Sequence, residues 1–380
     1  QEWAYLVAIY DESKTSGTEF SAYINGELIS ENLADGNILT TTGALLIGKR
    51  INSRYFQGTI DELRLSDVVR SGDYVKTTFN NLNDPESFIT LGKKHSQNKW
   101  PVPELSFRKN ITFDSSVVSG SSDLYNFPYL LELYDSDMKN RVQTNGNDIL
   151  FTDFNGVPFA HEIEEFDRNF NSTHVYLRAW VKIPKLSASP VTQFIMYYGN
   201  EQIESLQNPT GVWDEGYEGV FHFEDCCKMP NSVLDSSENG LVLKRISGQM
   251  SSSSWVSGFI GTGLDFDNTD GLNATTSGTT ISDFTFSTWF KADATSGRND
   301  LVTISSSRRF GIKDGHLYFH DGGDIEFSNE ASFSTGSWYY GTVTYNGTYI
   351  SVFLNGDEKT PLSRTIGSYS SRMAVGYRPT

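Results

Sequence analysis

The sequence predicts an all-β, multi-domain protein, and three observations carry that prediction. Apolar residues alternate with polar ones at a period of two, as in Phe20-Ser21-Ala22-Tyr23-Ile24 and Tyr349-Ile350-Ser351-Val352-Phe353-Leu354, the pattern of strands with one buried face. Aromatic residues make up 13% of the chain, with 19 Tyr, 25 Phe and 7 Trp, a content that suits packed sheets and excludes a disordered acidic chain. The length of 380 residues exceeds what one compact core usually holds, so two or three domains are expected.

Charge and hydropathy remove further classes. Thirty Lys and Arg against 47 Asp and Glu leave a formal net charge of −17, which repels phosphate backbones, so no nucleic-acid partner is expected. Mean hydropathy is −0.39, and no apolar run approaches the roughly 20 residues that cross a bilayer. No membrane insertion is expected within this segment.

Taken in order, the first element is a hairpin in which Asn25-Gly26 joins Phe20–Ile24 to Glu27-Leu28-Ile29, the turn that best matches strand twist. A helix is expected over 67–80, with Val68, Val69, Tyr74 and Val75 apolar and Ser66 as its cap. The polar stretch 93–98 before Pro101 and Pro103 reads as a linker. A middle block follows with strands over 108–113, 129–133, 149–152, 174–183 and 193–198. Near the carboxyl end the hairpin returns, with Tyr349–Leu354 running into Asn355-Gly356 and Asp357-Glu358.

The two hairpins belong to an internal repeat. Their turns are offset by 330 residues (355 − 25), Trp3 and Trp338 by 335, and Leu45–Arg50 and Met373–Arg378 by 328. One domain type is therefore expected to be split across both ends of a window cut from a longer tandem array. The expected division is 1–93 as the C-terminal part of that domain, 94–100 as linker, 101–214 as a separate β-sandwich, and 215–380 as the N-terminal and central part, lacking its last strands. Completion of the split domain is expected from a following repeat or from a strand donated by a neighbouring subunit. The duplication of 1–50 against 336–378 favours the following repeat.

Certain motifs carry a family resemblance. Gly219-Val220-Phe221-His222-Phe223-Glu224, Asp235-Ser236-Ser237-Glu238-Asn239-Gly240, Gly263-Leu264-Asp265-Phe266-Asp267, Phe284–Phe290 and above all Phe56-Gln57-Gly58-Thr59-Ile60-Asp61-Glu62-Leu63-Arg64-Leu65-Ser66 resemble the laminin-G-like, concanavalin A-like jelly-roll family. The middle block resembles a bacterial and archaeal surface-protein domain of unknown function. It does so through Phe107–Thr112, Asn126-Phe127-Pro128, Asp148-Ile149-Leu150-Phe151-Thr152-Asp153, His161-Glu162-Ile163-Glu164, Ala179–Pro184 and Met196-Tyr197-Tyr198-Gly199-Asn200. The resemblance implies a large extracellular protein of repeated sandwiches used for adhesion, glycan contact or scaffold building.

Candidate chemistry is sparse. The jelly-roll superfamily includes glycoside hydrolases with acidic residues alternating on one strand, and Glu162-Ile163-Glu164-Glu165-Phe166-Asp167 is the nearest run to it. It lies in the middle block, and its alternation slips after Glu164, so it reads as structural. No Gly-X-Ser-X-Gly elbow, phosphate-binding glycine loop or His-Glu-X-X-His pair occurs, and the six His are scattered. No enzyme is expected.

Calcium is the candidate cofactor, because hard oxygen donors crowd Asp235–Asn239, Asp265, Asp267 and Asp61. Related jelly rolls hold Ca²⁺ near the matching turn, while Asp, Ser and Asn are also ordinary turn formers. Cys226 and Cys227 are adjacent, which leaves open two small buried side chains, a vicinal disulfide, or bridges to another chain. Zinc is disfavoured, since His222 is the only candidate partner nearby. Asn-X-Ser/Thr sites at Asn110, Asn171, Asn273 and Asn346 permit an exported glycoprotein.

Rings considered for sugar stacking are Trp213, Tyr217, Trp255, Tyr318, Phe319, Trp338 and Tyr339. Trp255, amid serines, is the best candidate for an exposed ring, with core or edge cover still the favoured reading for it, and Trp289 and Trp338 are assigned to the core. The reading is a non-enzymatic structural or adhesive segment of a surface or filament protein, with copies of itself or adjacent repeats as partners. The competing class is a calcium-dependent lectin, and a glycoside hydrolase is third.

Overall fold

The computed structural model describes residues 70–96, 101–187, 191–224, 232–245, 254–266, 283–305, 308–321 and 333–345 continuously, together with separate strands elsewhere, among them 5–11, 18–24, 27–34, 58–66 and 349–354. The chain is mostly strand and divides into two units, one formed by Gln1–Phe79 with Glu215–Thr380 and the other by Asn80–Asp214. Residues 89–91, read from the sequence as part of the jelly roll, pair with Phe107–Phe113 in the middle unit. His95–Ser96, inside the expected linker, pairs with Phe107 and Arg108.

The middle unit is a sandwich of a six-stranded and a three-stranded sheet. Phe113 of the first meets Tyr129 of the second edge-on at 4.8 Å, and Phe151 meets His161 at 5.2 Å, as interdigitating faces require. In the three-stranded sheet Val175–Leu186 is central, flanked by Leu124–Asp135 and His161–Asp167.

The jelly-roll unit is also built from two main sheets. In the larger, neighbouring strands run in the order 255–257, 262–266, 58–66, 284–292, 5–11, 18–24 and 27–34. Phe284 of this sheet lies 6.1 Å from Phe319 of the second. The expected hairpins both form. Tyr23 pairs with Leu28, and Leu354 pairs with Asp357 across a two-residue turn in which Asn355 takes a φ of 59°, the left-handed conformation such turns need.

Trp338–Tyr345 lies antiparallel along Phe284–Ala292, from Phe284 opposite Tyr345 to Lys291 opposite Trp338.

The helix runs over Gly72–Asn83, later than the sequence suggests. Its cap is Ser71, whose hydroxyl accepts from the Tyr74 amide at 3.1 Å. The expected cap, Ser66, instead ends a strand and accepts from the Val68 amide. A serine five residues earlier offered the same local signal, and strand pairing claimed it first.

Candidate functional site

Gly58–Ser66 carries the most specific motif in the chain, and all nine of its residues are buried. Its neighbours come from the far end of the sequence. On one edge Leu63, Arg64 and Leu65 pair with Phe221, Val220 and Gly219, and Gly58, Thr59 and Ile60 pair with Phe266, Asp265 and Leu264. On the other edge Gly58 lies opposite Ala292. A Cβ on Gly58 would fall 1.5 Å from the Lys291 carbonyl oxygen, so this close approach demands glycine. The strand expected from a following repeat or another subunit is thus supplied by the same chain.

Polar side chains stitch this seam. The Asp61 carboxylate, fully buried, accepts from the Glu62 amide at 2.9 Å and from the Ile260 amide at 2.7 Å. Thr288 donates its hydroxyl to the Asp61 carbonyl at 3.0 Å. Glu62 takes a φ of 49°, and its carboxylate meets His222 Nδ1 at 2.8 Å and Arg64 Nη2 at 3.1 Å. Burial works to raise the Glu62 carboxyl, but the His222 and Arg64 charges and hydrogen bonds outweigh it and hold the group below the usual range. His222 does not alternate with its neighbours as a strand residue would. Phe221, His222 and Phe223 are all buried, and Phe223 adopts a φ of 58°.

The calcium candidates are dispersed. Asp235 is an Asx-turn residue, and its carboxylate accepts from the Val220, Ser237 and Leu241 amides and the Ser237 hydroxyl at 2.8–3.0 Å. Burial nevertheless raises its carboxyl above the ordinary Asp value. Asp265 sits half-buried opposite Thr59, and Asp267 lies outside the described residues. Among the described residues, no three His, Cys, Asp or Glu ligand atoms from this unit alone lie within 4.8 Å of one another. Cys226, Cys227 and Asn346 also lie outside the described residues. Asn171 sits exposed in a turn, Asn273 in a short strand, and Asn110 half-buried in a strand paired on both edges.

Two cavities lined by described residues of this unit are too small for a sugar. One, lined by Arg64, Arg70, Tyr74, Thr78, Tyr217 and Thr285, encloses about 20 Å³, room for a single water. The other, beside Asp265, encloses about 10 Å³. Of the rings considered for stacking, Tyr217, Tyr318, Phe319 and Trp338 are core residues, and Trp255 and Tyr339 are half-buried. Trp213 belongs to the middle unit, where it packs on Trp180 at 5.4 Å.

In the middle unit the motifs that carried the resemblance lock onto one another. Asp148, fully buried, accepts from the Gln143 amide at 2.8 Å and from the Gly199 and Asn200 amides at 2.9 Å. The acidic run 162–167 contains a bulge between Ile163 and Glu165, the physical form of its slipped alternation. Glu164 accepts from the Trp180 indole at 2.6 Å, and Glu162 from the Trp213 indole at 3.4 Å.

An aromatic face that the sequence reading missed lies on the three-stranded sheet. Tyr134 and Phe170 are 41% and 47% exposed, with ring centroids 5.0 Å apart, and Tyr176 lies 5.0 Å from Tyr134. Beside them Arg178 is held between Glu132 at 3.2 Å and Glu165 at 3.0 Å, and Tyr176 donates its hydroxyl to Glu132. The signal was present as period two. Glu132, Tyr134 and Arg178 alternate with buried Leu131, Leu133, Leu177 and Ala179, which puts them on the outward positions, while Tyr176, on the same face, is itself buried.

These features define an all-β, multi-domain protein in which a jelly roll is assembled from both ends of the sequence and a second sandwich occupies the middle. Residues 1–76 and 266–376 match the Concanavalin A-like lectin/glucanases superfamily, and residues 145–237 match a domain of unknown function (DUF2341). The chain therefore carries the split laminin-G-like domain and the intervening domain that its motifs suggested. No curated protein and no solved structure gives a significant match.

Proposed function

We propose that this chain is a non-enzymatic structural or adhesive segment of an extracellular surface protein, whose partners are further copies or adjacent repeats. The observation that carries the reading is the wholly buried strand Gly58–Ser66, which fills a sheet made by residues about two hundred positions away. A sheet edge closed by a distant segment is a joint between modules, and the repeat near 330 residues lets successive modules be joined in the same way. Electron microscopy of native material tests it. A regular fibre with an axial repeat of sandwich units supports the scaffold, and isolated flexible particles refute it.

A second reading, carbohydrate binding, is favoured by the exposed rings of Tyr134 and Phe170, which pack beside buried Tyr176. Exposed rings beside a fixed guanidinium and carboxylates suit stacking on sugar faces and hydrogen bonding to hydroxyls. The superfamily match supports glycan contact as well. A glycan array read with and without Ca²⁺ tests this reading. Binding lost on chelation would bring in the acidic loops around Asp235 and Asp265.

A further inference from the structure

On the strand Phe107–Phe113 of the middle unit the inward positions are Lys109, Ile111 and Phe113, all buried, so a lysine stands where alternation calls for an apolar side chain. Its Nζ reaches the other sheet of the sandwich and meets Oδ2 of Asp135, the last residue of Leu124–Asp135. The two residues are 6% and 2% exposed. A second carboxylate, that of Asp137, lies 3.0 Å from the same Nζ, and Lys94 stands 3.4 Å from its outer oxygen. Tyr198, directly opposite Phe107, adds a buried hydroxyl that has no hydrogen-bond partner among the described residues. Burial first, and then the charges of Asp135 and Asp137, push its phenol above the ordinary tyrosine value.

Held as two ions, this pair carries the desolvation cost of both charges. Condensation would remove the charges altogether. The reactants are fixed for it by backbone ladders, since Lys109 stands opposite Met196 and Asp135 opposite Val175, and such fixing replaces a chance encounter by a contact already made. Asp137 accepts the hydrogen bond from Lys109 that holds its carboxyl below the usual range, so it is ionised and able to take up a proton. The other oxygen of Asp135, Oδ1, accepts from the Met138 amide at 2.9 Å, a donor placed where negative charge would develop on the carboxyl.

We propose that Lys109 and Asp135 condense to an amide, an isopeptide bond that staples the two sheets of the middle unit to each other. One proton of the Lys109 ammonium passes to Asp135 Oδ2, which turns the ion pair into a neutral amine and a neutral acid, the form that a buried site favours. The Nζ lone pair attacks Asp135 Cγ, and the electron pair of the carbonyl moves onto Oδ1 under the Met138 amide. Asp137 takes a second proton from Nζ and delivers it to Oδ2. The Cγ–Oδ2 bond then breaks, Oδ2 leaves as water, and Nζ keeps its one remaining hydrogen as an amide N–H. One C–N bond forms, one C–O bond breaks, one water is released, and no oxidant or reductant takes part. The reaction happens once per chain and modifies the chain itself. It is independent of the scaffold and carbohydrate readings, because it lies wholly inside one sandwich.

The test is the intact mass of the full chain, shown to be folded by circular dichroism and then denatured for mass spectrometry. The bond lowers the mass from the sequence value by one water, about 18 Da. No Lys or Arg lies between Lys109 and Lys139, and Glu132 is the only Glu between them. Trypsin followed by a glutamate-specific protease is therefore expected to release 109–132 and 133–139 as one branched species, with Lys109 left uncut. Lys109→Met is expected to restore the full mass and to separate the two fragments. A folded wild-type chain that stays at the full sequence mass after long incubation overturns the proposal, whatever the variants do. A loss of one water mapped to residues other than Lys109 and Asp135 overturns it too. Asp137→Asn, which takes away the proton carrier, is expected to be recovered folded at the full mass. Recovery of that variant already cross-linked would strike Asp137 from the step and leave the bond standing.

Discussion

Replacing Asp61 by alanine probes the seam at the point where sequence-distant segments are tied together. The wild-type carboxylate is fully buried and accepts from the Glu62 and Ile260 amides. Its removal leaves two buried N–H groups without that acceptor. Each such loss costs about 1–3 kcal/mol, so Asp61→Ala is expected to cost about 2–6 kcal/mol. In a domain of this size each kcal/mol moves Tm by roughly 2–4 °C. Scanning calorimetry should therefore show the jelly-roll transition falling by roughly 4–24 °C while a transition of the middle unit stays in place. Asp61→Asn, which keeps one carbonyl acceptor, should fall between the two. Repeating the scans with Ca²⁺ and with a chelator separates a structural acceptor from a ligand, because only a ligand makes the Asp61→Ala loss depend on the ion. A destabilisation under about 1 kcal/mol would refute the assignment of Asp61 as a tie across the seam.

Other consequences concern the middle unit. Burial drives the His161 imidazole down to about 4, so between the unfolded value near 6.5 and that value the unfolded chain binds the proton and the folded chain does not. Stability should be lost as pH falls from about 6.5 to 4, by about 3 kcal/mol from this group, and denaturant midpoints of His161→Phe should lack that share of the slope. Asp148→Ala strips the acceptor from the Gln143, Gly199 and Asn200 amides. It should cost about 3–9 kcal/mol, enough to unfold the middle unit by circular dichroism. Tyr134→Ala and Phe170→Ala remove exposed rings and should leave Tm within a few degrees. On a glycan array they should abolish any binding that belongs to this face, and unchanged binding would place the sugar elsewhere.

Much of the fold was legible because strand formation here is local. The Asn-Gly hairpins, the short apolar run in Gln193–Tyr198 and the slip after Glu164 are all local signals, and the structure returns them as paired strands and a bulge. The repeat offset needed only self-comparison, and both copies of the hairpin form as paired strands. Periodicity also places Tyr134 and Tyr176 on one face, although it does not say that a third ring, from the turn at Phe170, joins them.

Tertiary structure alone decided which strand fills which edge and what each carboxylate does. Asp61 and Asp235, which composition offers as calcium candidates, accept hydrogen bonds from amides brought from elsewhere in the fold. Gly58–Ser66 looks like the end of one domain and lies between strands that follow it by some 150 residues or more. The physical reason is that alternation fixes only which face of a strand is apolar. Partner choice depends on long-range hydrogen bonding and packing, and no short window of sequence contains both sides of those contacts.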